Sequence, residues 1–532
     1  NISGMFTVEK SEGEWCYINI KIIAMRVCLI NFPFTNDHFI GREYGKFEQY
    51  EQNMELAYIA SYLEENGINT DIIECTSLKY NVAALVNYFK DKSYSALVLA
   101  VEDYTFFNVV RFLWKISWNG PIIFAGEYSV RNYDKLLKIR PRNSYCLLAN
   151  KEQSCLNILQ NEFQQGEQSV LMDVAYFDEN IVVGEASDGI PFECLPLPKR
   201  VYVSKNGMAG VESTRGCNNN CIYCAVNVRR SHEKKHCIQY KSTEKLLEEI
   251  EGLVTNDGVK YIRFHDENFL NASEINRKRL VAFCKGVKDK KLSFSFKIFA
   301  RATDLIKNRD ILPNLKQIGM DSVFIGIEGF VQRQLDFYRK NTTVQQNIEA
   351  INILKDNNIK FTIGFLPLDP YVTLEELEQN YSLLKQIEYS KVSLYTNLPV
   401  SCIPALSVLP GSDFHKIIMT EGLSMNNERG YRFTNPVIEV FDCMKEQWSK
   451  EVIQLHNLSY LISKAELRNE LSLAGELKRE KSNLMDLDVE YLLDLVKRLS
   501  QSNNSKVQIA DVFIGRLKKI EEVFLMAKEK LI

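Results

Sequence analysis

The sequence predicts an α/β protein in three parts: a doubly wound, Rossmann-like parallel sheet, a second run of strand–helix units, and a helical carboxyl-terminal region. Three observations carry this. Between about residues 25 and 165, short apolar runs alternate with helix-like segments, the pattern of a parallel sheet with crossover helices. From about 206 the alternation begins again. From 416 to 532 it stops, and apolar residues recur at helical spacing instead.

A chain of 532 residues is long enough for two to three domains. Apolar residues make up 45% and charged residues 25%, an ordinary globular balance. The net charge of −3 gives no basic footprint for nucleic acid or an anionic membrane, and no apolar run is long enough to span a bilayer. Of the 13 cysteines only three are tightly clustered, and the odd, scattered remainder suits a reducing cytosol better than a disulfide framework.

In chain order, residues 1–24 lack clear periodicity and read as a leader or expression-derived segment, with Met25 as the natural start; the rival is a genuine extra segment. RVCLINF (26–32) is a buried-strand run. Met54, Ala57, Tyr58, Ala60, Ser61 and Leu63 then fall at helical spacing, and Asn66-Gly67 supplies a stop. TDIIE (70–74) is a second strand, NVAALVNYFKD a second helix, and SALVLAV (95–101), PIIFAG (121–126) and SYCLLA (144–149) are three more strands. In such sheets ligands bind beyond the carboxyl ends of the strands. Residues 166–205, with DGIPFECLPLPKR, read as an irregular connector because proline disfavours regular structure.

The second run reads VEST (211–214), a helix over 243–255, then VKYIRFHDENF (259–269), FSFKIFA (294–300), SVFIGIE (322–328), IKFTIGFLPL (359–368) and SKVSLYTNL (390–398). Beyond 416, Leu492, Leu495, Val496 and Leu499 form one stripe, and Phe513, Leu517, Ile520 and Phe524 another. Such stripes are core faces, and the region reads as a helical cap.

The chemistry centres on VESTRGCNNNCIYCA (211–225), where Cys217, Cys221 and Cys224 are separated by three and two residues. Close spacing turns several thiolates onto one metal centre, and soft thiolates select zinc, copper(I) or iron–sulfur. Gly216 permits a tight turn before the first cysteine, and Tyr223 puts a ring before the third. Zinc would want a fourth ligand, for which His232, His236 and Cys237 are nearby in sequence; three unrelated core cysteines are the plainer alternative.

This loop resembles the radical S-adenosylmethionine (SAM) superfamily. The resemblance implies a 4Fe–4S cluster on Cys217, Cys221 and Cys224, with SAM on the open iron, and a partial (β/α)6 TIM-like barrel over 206–415. It extends to four later segments. FHDENF resembles the acidic turn after the second strand, so Asp266 and Glu267 are expected at the SAM ammonium. FARATDL places Arg301 at the SAM carboxylate, FIGIEG places Glu328 at the ribose or headgroup, and FTIGFLPLD places Gly364 near the adenine. The alternatives are helix-capping acids at 266–267, a surface ion pair at 301 and a packed carboxylate at 328.

The first domain, 25–165, resembles the cobalamin-binding domain of cobalamin-dependent radical SAM enzymes. PIIFAGEYS stands where that family has two glycines; Ala125 replaces the first and Gly126 remains, expected to border the cofactor. Asn36, His38 and Gly41 form N-x-H-x-x-G, close to a cobalt-ligating D-x-H-x-x-G loop, but asparagine replaces the aspartate that would orient the imidazole, so cobalamin is expected without a histidine ligand. A degenerate module without cobalamin is the alternative. The expectation is a cytoplasmic radical SAM enzyme acting at an unactivated carbon, by methyl transfer or ring rearrangement with cobalamin, or by cyclisation or dehydrogenation without it. A non-catalytic metal-binding scaffold is the rival from another class. The implied partners are a small-molecule or peptide substrate and an external electron donor.

Overall fold

A computed structural model of the chain describes residues 7–9, 15–17, 25–33, 51–163, 170–203, 207–235, 237–392, 399–501 and 511–531. It divides into two compact units. The first contains Phe47–Asn218 and Ala225–Lys260 together with the amino-terminal strand; the second contains Asn219–Cys224 and Tyr261–Ile532. Residues 225–260 therefore group with the first unit, and the chain enters the second for good at Tyr261.

The first unit is built on a seven-stranded sheet, ordered Asn69–Glu74, Arg26–Asn31, Ala96–Ala100, Ile122–Ala125, Ser144–Leu147, Val174–Asp178 and Asn180–Val183. The first five strands are parallel and are the five the sequence marks. Their spatial order, 2-1-3-4-5 in chain numbering, is that of a flavodoxin-like doubly wound sheet. Apolar residues on both faces of the strands account for it: Leu29, Val98 and Ile123 pack with Leu56, Ile59 and Ile158 on one side. Ile30, Leu97 and Leu99 pack with Leu85, Val109 and Phe112 on the other. Helix Met54–Glu65 starts where the Asn53 side chain accepts from the Leu56 N–H and stops at Gly67, whose φ is +79°.

Two strands depart from expectation. Val174–Asp178 and Asn180–Val183 run antiparallel inside the stretch read as an irregular connector. Val174 and Ala175 are fully buried against the sheet, and Glu179, in left-handed backbone at φ +54°, makes the turn between the strands. The prolines lie further on, at 191–198, where the chain is irregular. VEST is also not one strand. Met208–Val211 ends on its first residue, and Thr214–Arg215, which starts on its last, pairs antiparallel with Gln239–Tyr240. Behind this pair lies a buried polar knot. The Lys241 ammonium, 1% exposed, donates to the Tyr58 hydroxyl at 2.8 Å and to Glu249, which also pairs with Arg200.

The second unit carries four parallel strands in chain order: Tyr261–Phe264, Ser295–Arg301, Met320–Glu328 and Lys360–Phe365. Each coincides with a strand the sequence marks, and helices Glu274–Asp289, Val344–Asp356 and Leu374–Gln386 alternate with them. The strand expected over 390–398 is absent from its described part. Glu388 adopts φ +53° after helix Leu374–Gln386, and Tyr389–Val392 then makes another helical turn with Tyr389 and Ser390 buried. Residues 393–398 lie outside the described residues. The carboxyl-terminal region is helical as expected, and both apolar stripes are buried. Its long helix, Leu471–Gln501, packs on Leu374–Gln386 in the outer helical layer. No helix among the described residues is long and apolar enough to cross a membrane.

Candidate active site

Three of the four strands of the second unit end at or just before a residue singled out in the sequence, and Gly364 is the penultimate residue of the fourth. Asp266 is buried and Glu267 half-buried in the turn after Tyr261–Phe264. Arg301 closes the next strand. Its guanidinium lies 3.4 Å from Asp304, donates to the Lys340 carbonyl at 3.1 Å, and leaves Nε buried without a partner. Asn268 holds this corner by donating to Asp304 at 2.8 Å.

Glu328 closes the third strand in left-handed backbone, φ +63°, a conformation non-glycine residues rarely adopt. Its carboxylate is buried and accepts from the Lys340 ammonium at 2.6 Å. The partner that a buried carboxylate requires is therefore internal. Gly364 stands directly opposite Gly326 on the neighbouring strand. A Cβ on Gly364 would lie 3.3 Å from Glu328 Oε2, and one on Gly326 would lie 2.8 Å from Oε1 and 2.6 Å from Lys340 Nζ. The two glycines thus form a floor under the ion pair.

Within the same unit, Cys221 is buried and Cys224 half-buried, and the Cys224 N–H donates to the Cys221 carbonyl at 3.2 Å. Asn219 Nδ2 lies 2.8 Å from Cys221 Sγ. Tyr223 meets Tyr338 edge-on, with ring centroids 5.6 Å apart. Burial raises the Tyr223 phenol pKa well above its ordinary value, and the neighbouring Glu328 carboxylate and Cys221 and Cys224 sulfurs raise it further. The structure thus brings Cys221, Tyr223, Cys224, Arg301 and Glu328 into one neighbourhood. Lys340 joins them, with its ammonium on Glu328 and its carbonyl on Arg301.

In the first unit, Cys217 is half-buried behind Gly216, whose φ is +93°, and its carbonyl accepts from Arg230 at 3.2 Å. Among the described residues no three His, Cys, Asp or Glu side chains are already gathered as a ready-made metal site. Metal binding and ordering of ligands are coupled, so donor chemistry is the relevant test of fit. Three thiols on a short loop, with an amide N–H beside one of them, suit an anionic iron–sulfur cluster. Of the alternative zinc ligands, His232 lies edge-on to Tyr133, Cys237 is exposed, and His236 lies outside the described residues.

At the carboxyl edge of the first sheet, Gly126 adopts φ +91° and its N–H donates to Glu55 at 2.6 Å. A Cβ there would lie 2.4 Å from the Val101 carbonyl oxygen, so packing within the sheet already requires glycine. Two acceptors at this edge, Thr76 Oγ1 and Glu127 Oε2, are buried without a partner. They fit a ligand rich in amide N–H groups, as the corrin side chains are. Burial and the neighbouring Glu55 and Glu127 carboxylates push the Glu102 pKa up to about 8. Asn36, His38 and Gly41 lie outside the described residues.

Sequence reading missed Lys340, Asn219 and Asn341. Arg339-Lys340-Asn341 looks like the basic end of a helix, and the only signal was that Glu328, ending an apolar strand, needed a partner.

The model of the radical SAM superfamily matches residues 211–384. An anaerobic magnesium-protoporphyrin IX monomethyl ester cyclase of Rubrivivax gelatinosus is 24% identical over 370 residues, 65% of this chain and 64% of that protein. The chain thus spans just under two thirds of that relative's length. An uncharacterized methyltransferase of Pyrococcus horikoshii is 23% identical over 440 residues, 78% of this chain and 89% of the relative. Among solved structures, the cobalamin-dependent radical SAM enzyme OxsB with aqua-cobalamin bound superposes with a TM-score of 0.74 at 15% identity, covering 99% of this chain and 84% of that one. The methyltransferase TsrM of Kitasatospora setae, with cobalamin and a 4Fe–4S cluster bound, gives 0.59 at 12% identity, covering 77% and 82%. Both share the fold.

Proposed function

We propose that the chain is a radical SAM enzyme that acts on an unactivated carbon with cobalamin carried at the carboxyl edge of the first sheet, methyl transfer being the leading outcome and ring chemistry the next. The observation that carries this reading is Glu328, strained and buried over a glycine floor in the same neighbourhood as Cys221 and Arg301. When bound, the cluster and SAM supply a 5′-deoxyadenosyl radical.

The residues divide that work. Cys217, Cys221 and Cys224 are the cluster ligands. Asp266 and Glu267 face the SAM ammonium, and Arg301, with its unpartnered Nε, offers a planar donor to the SAM carboxylate. Glu328 accepts from ribose hydroxyls or the headgroup, Gly364 leaves room beside it, and Tyr223 adds a ring at the loop.

A second reading has its own support: because Val101 packing alone requires Gly126, the first sheet is also consistent with a module that binds no cobalamin, and the reaction would then be cyclisation or dehydrogenation. The substrate is a small molecule or peptide, an external donor supplies electrons, and the setting is the cytoplasm. Anaerobic reconstitution of the full chain tests the proposal. About four iron per chain, SAM cleavage under reductant and a cobalamin visible spectrum are expected. Stoichiometric zinc without iron would overturn the enzyme reading, and iron with SAM cleavage but no cobalamin uptake would select the second.

A further inference from the structure

The sheet face that carries Arg301 continues well below the strand ends. Along Ser295–Arg301 the side chains alternate. Phe296, Ile298 and Ala300 are buried, while Lys297, Phe299 and Arg301 are half-buried and share one face. Lys297 stands four residues before Arg301, about 13 Å back along the strand. Register carries its position across all four strands: Arg263, Lys297, Ser322 and Lys360 are successive partners in one row. The register shifts by one residue beside Lys297, so Asp321 has no opposite number on that strand. Between this row and the strand ends lies an aromatic one. Phe299 and Phe324 are directly paired there, with ring centroids 5.2 Å apart.

Like charges set side by side on neighbouring strands destabilise a sheet unless something answers them. Asp321 joins the row, but Lys360 engages it at 2.8 Å. Among the described residues Lys297 has no hydrogen-bond or ion-pair partner, and its ammonium lies 5.9 Å from the centroid of the Phe324 ring. Burial and the neighbouring Arg263 charge lower the Lys297 pKa, and Asp321 opposes them. A half-buried cation without a partner, on the face that carries the candidate site, is matched by an anionic ligand. Arg263 has five donors in a planar fork, enough to keep a neighbour and grip an oxyanion as well. Two adjacent cations match a phosphate monoester, which carries about −1.5 to −2 at pH 7, better than a carboxylate, which carries one charge.

We propose that Lys297 and Arg263, in the row completed by Ser322 and Lys360, bind the phosphate of an organic phosphate ester that is the substrate. Its organic body lies over Phe299 and Phe324, and its reacting carbon lies toward the strand ends at Arg301 and Glu328. This deepens the proposed function and rests on the reading that SAM is held at those strand ends. The row supplies charge at one end of the substrate, the paired rings supply an apolar surface in the middle, and the distance between Lys297 and Arg301 sets the span from phosphate to reacting carbon.

The test is calorimetric titration of the full chain with phenyl phosphate and, separately, with benzoate, run without SAM or reductant so that radical chemistry does not enter. Phenyl phosphate binds the parent more tightly than benzoate does. Lys297→Gln weakens phenyl phosphate roughly tenfold or more, the loss of one charge-assisted hydrogen bond, and Lys297→Arg keeps most of the affinity. Acetic anhydride labelling read by mass spectrometry places the ligand: phenyl phosphate protects Lys297 and leaves Lys278, 76% exposed, reactive. If Lys297→Gln does not fold, this protection in the parent decides the matter. No phenyl phosphate binding, benzoate bound as tightly, unchanged affinity in Lys297→Gln, or undiminished labelling of Lys297 overturns the inference and leaves the enzyme reading intact. Iron loading and SAM cleavage, measured separately on the parent, test that reading, and a parent that binds no iron overturns it whatever phenyl phosphate does.

Discussion

Glu328 shows how much one residue can carry. Its backbone is strained, its carboxylate is buried, and its nearest cation is part of the chain. Glu328→Ala removes a charged acceptor, so SAM affinity or cleavage is expected to fall by about 1.5–3 kcal/mol, roughly 10- to 150-fold, with iron content unchanged. Calorimetric SAM binding and a cleavage assay check this; unchanged values in both would remove Glu328 from the site. A different carboxylate governs pH behaviour. Glu102 holds its proton to about pH 8 in the folded protein against an ordinary value of 4.5. The folded state therefore binds the proton more tightly, and stability is greatest below the unfolded value and declines as pH rises toward about 8. Glu102→Gln should flatten that decline, giving a melting temperature that depends less on pH between about 5 and 8 when followed by circular dichroism. A variant with the parent's pH slope would show that other groups set it.

At the scale of elements, the turn after strand Ile122–Ala125 offers the sharpest test. Gly126→Ala forces a side chain into φ +91° and against the Val101 carbonyl. A loss of about 1–3 kcal/mol is expected, read as a lower urea midpoint with an unchanged slope. The parallel strands of both units were legible because each is a short apolar run bounded by turn residues, and helix Met54–Glu65 because Asn53 and Asn66-Gly67 punctuate it. The pair Val174–Asp178 and Asn180–Val183 was not, because it is short and adjoins a proline-rich stretch that dominates the local pattern. From Ser390 the apolar signal suited a strand, but over Tyr389–Val392 packing of Tyr389 and Ser390 after the left-handed Glu388 favoured a helical turn. Candidate-site residues were legible where they end strands. Lys340 was not, because its role depends on a partner 12 residues away and on two glycines opposed across strands.

For the whole molecule, the division into two units predicts how damage spreads. Lys241→Met leaves Glu249, 4% exposed, with Arg200 as its remaining cation, a change expected to cost about 3 kcal/mol. Hydrogen exchange should then rise over Met54–Glu65 and Thr243–Thr255 in the first unit while Ser295–Arg301 and Lys360–Phe365 in the second keep their protection. An equal rise in both units would show that they unfold together. The same knot has a consequence for biosynthesis. Lys241 reaches Tyr58, made 183 residues earlier. At about 5–20 residues per second a ribosome needs roughly 10–40 s to cover that distance. The last strand of the first sheet ends at Val183, so the nascent sheet is complete in sequence well before the cation that closes its buried polar seam has been translated. The interval in which a chaperone can usefully hold this unit is therefore set by the arrival of Lys241 outside the exit tunnel, and slowing translation between residues 184 and 241 would prolong it.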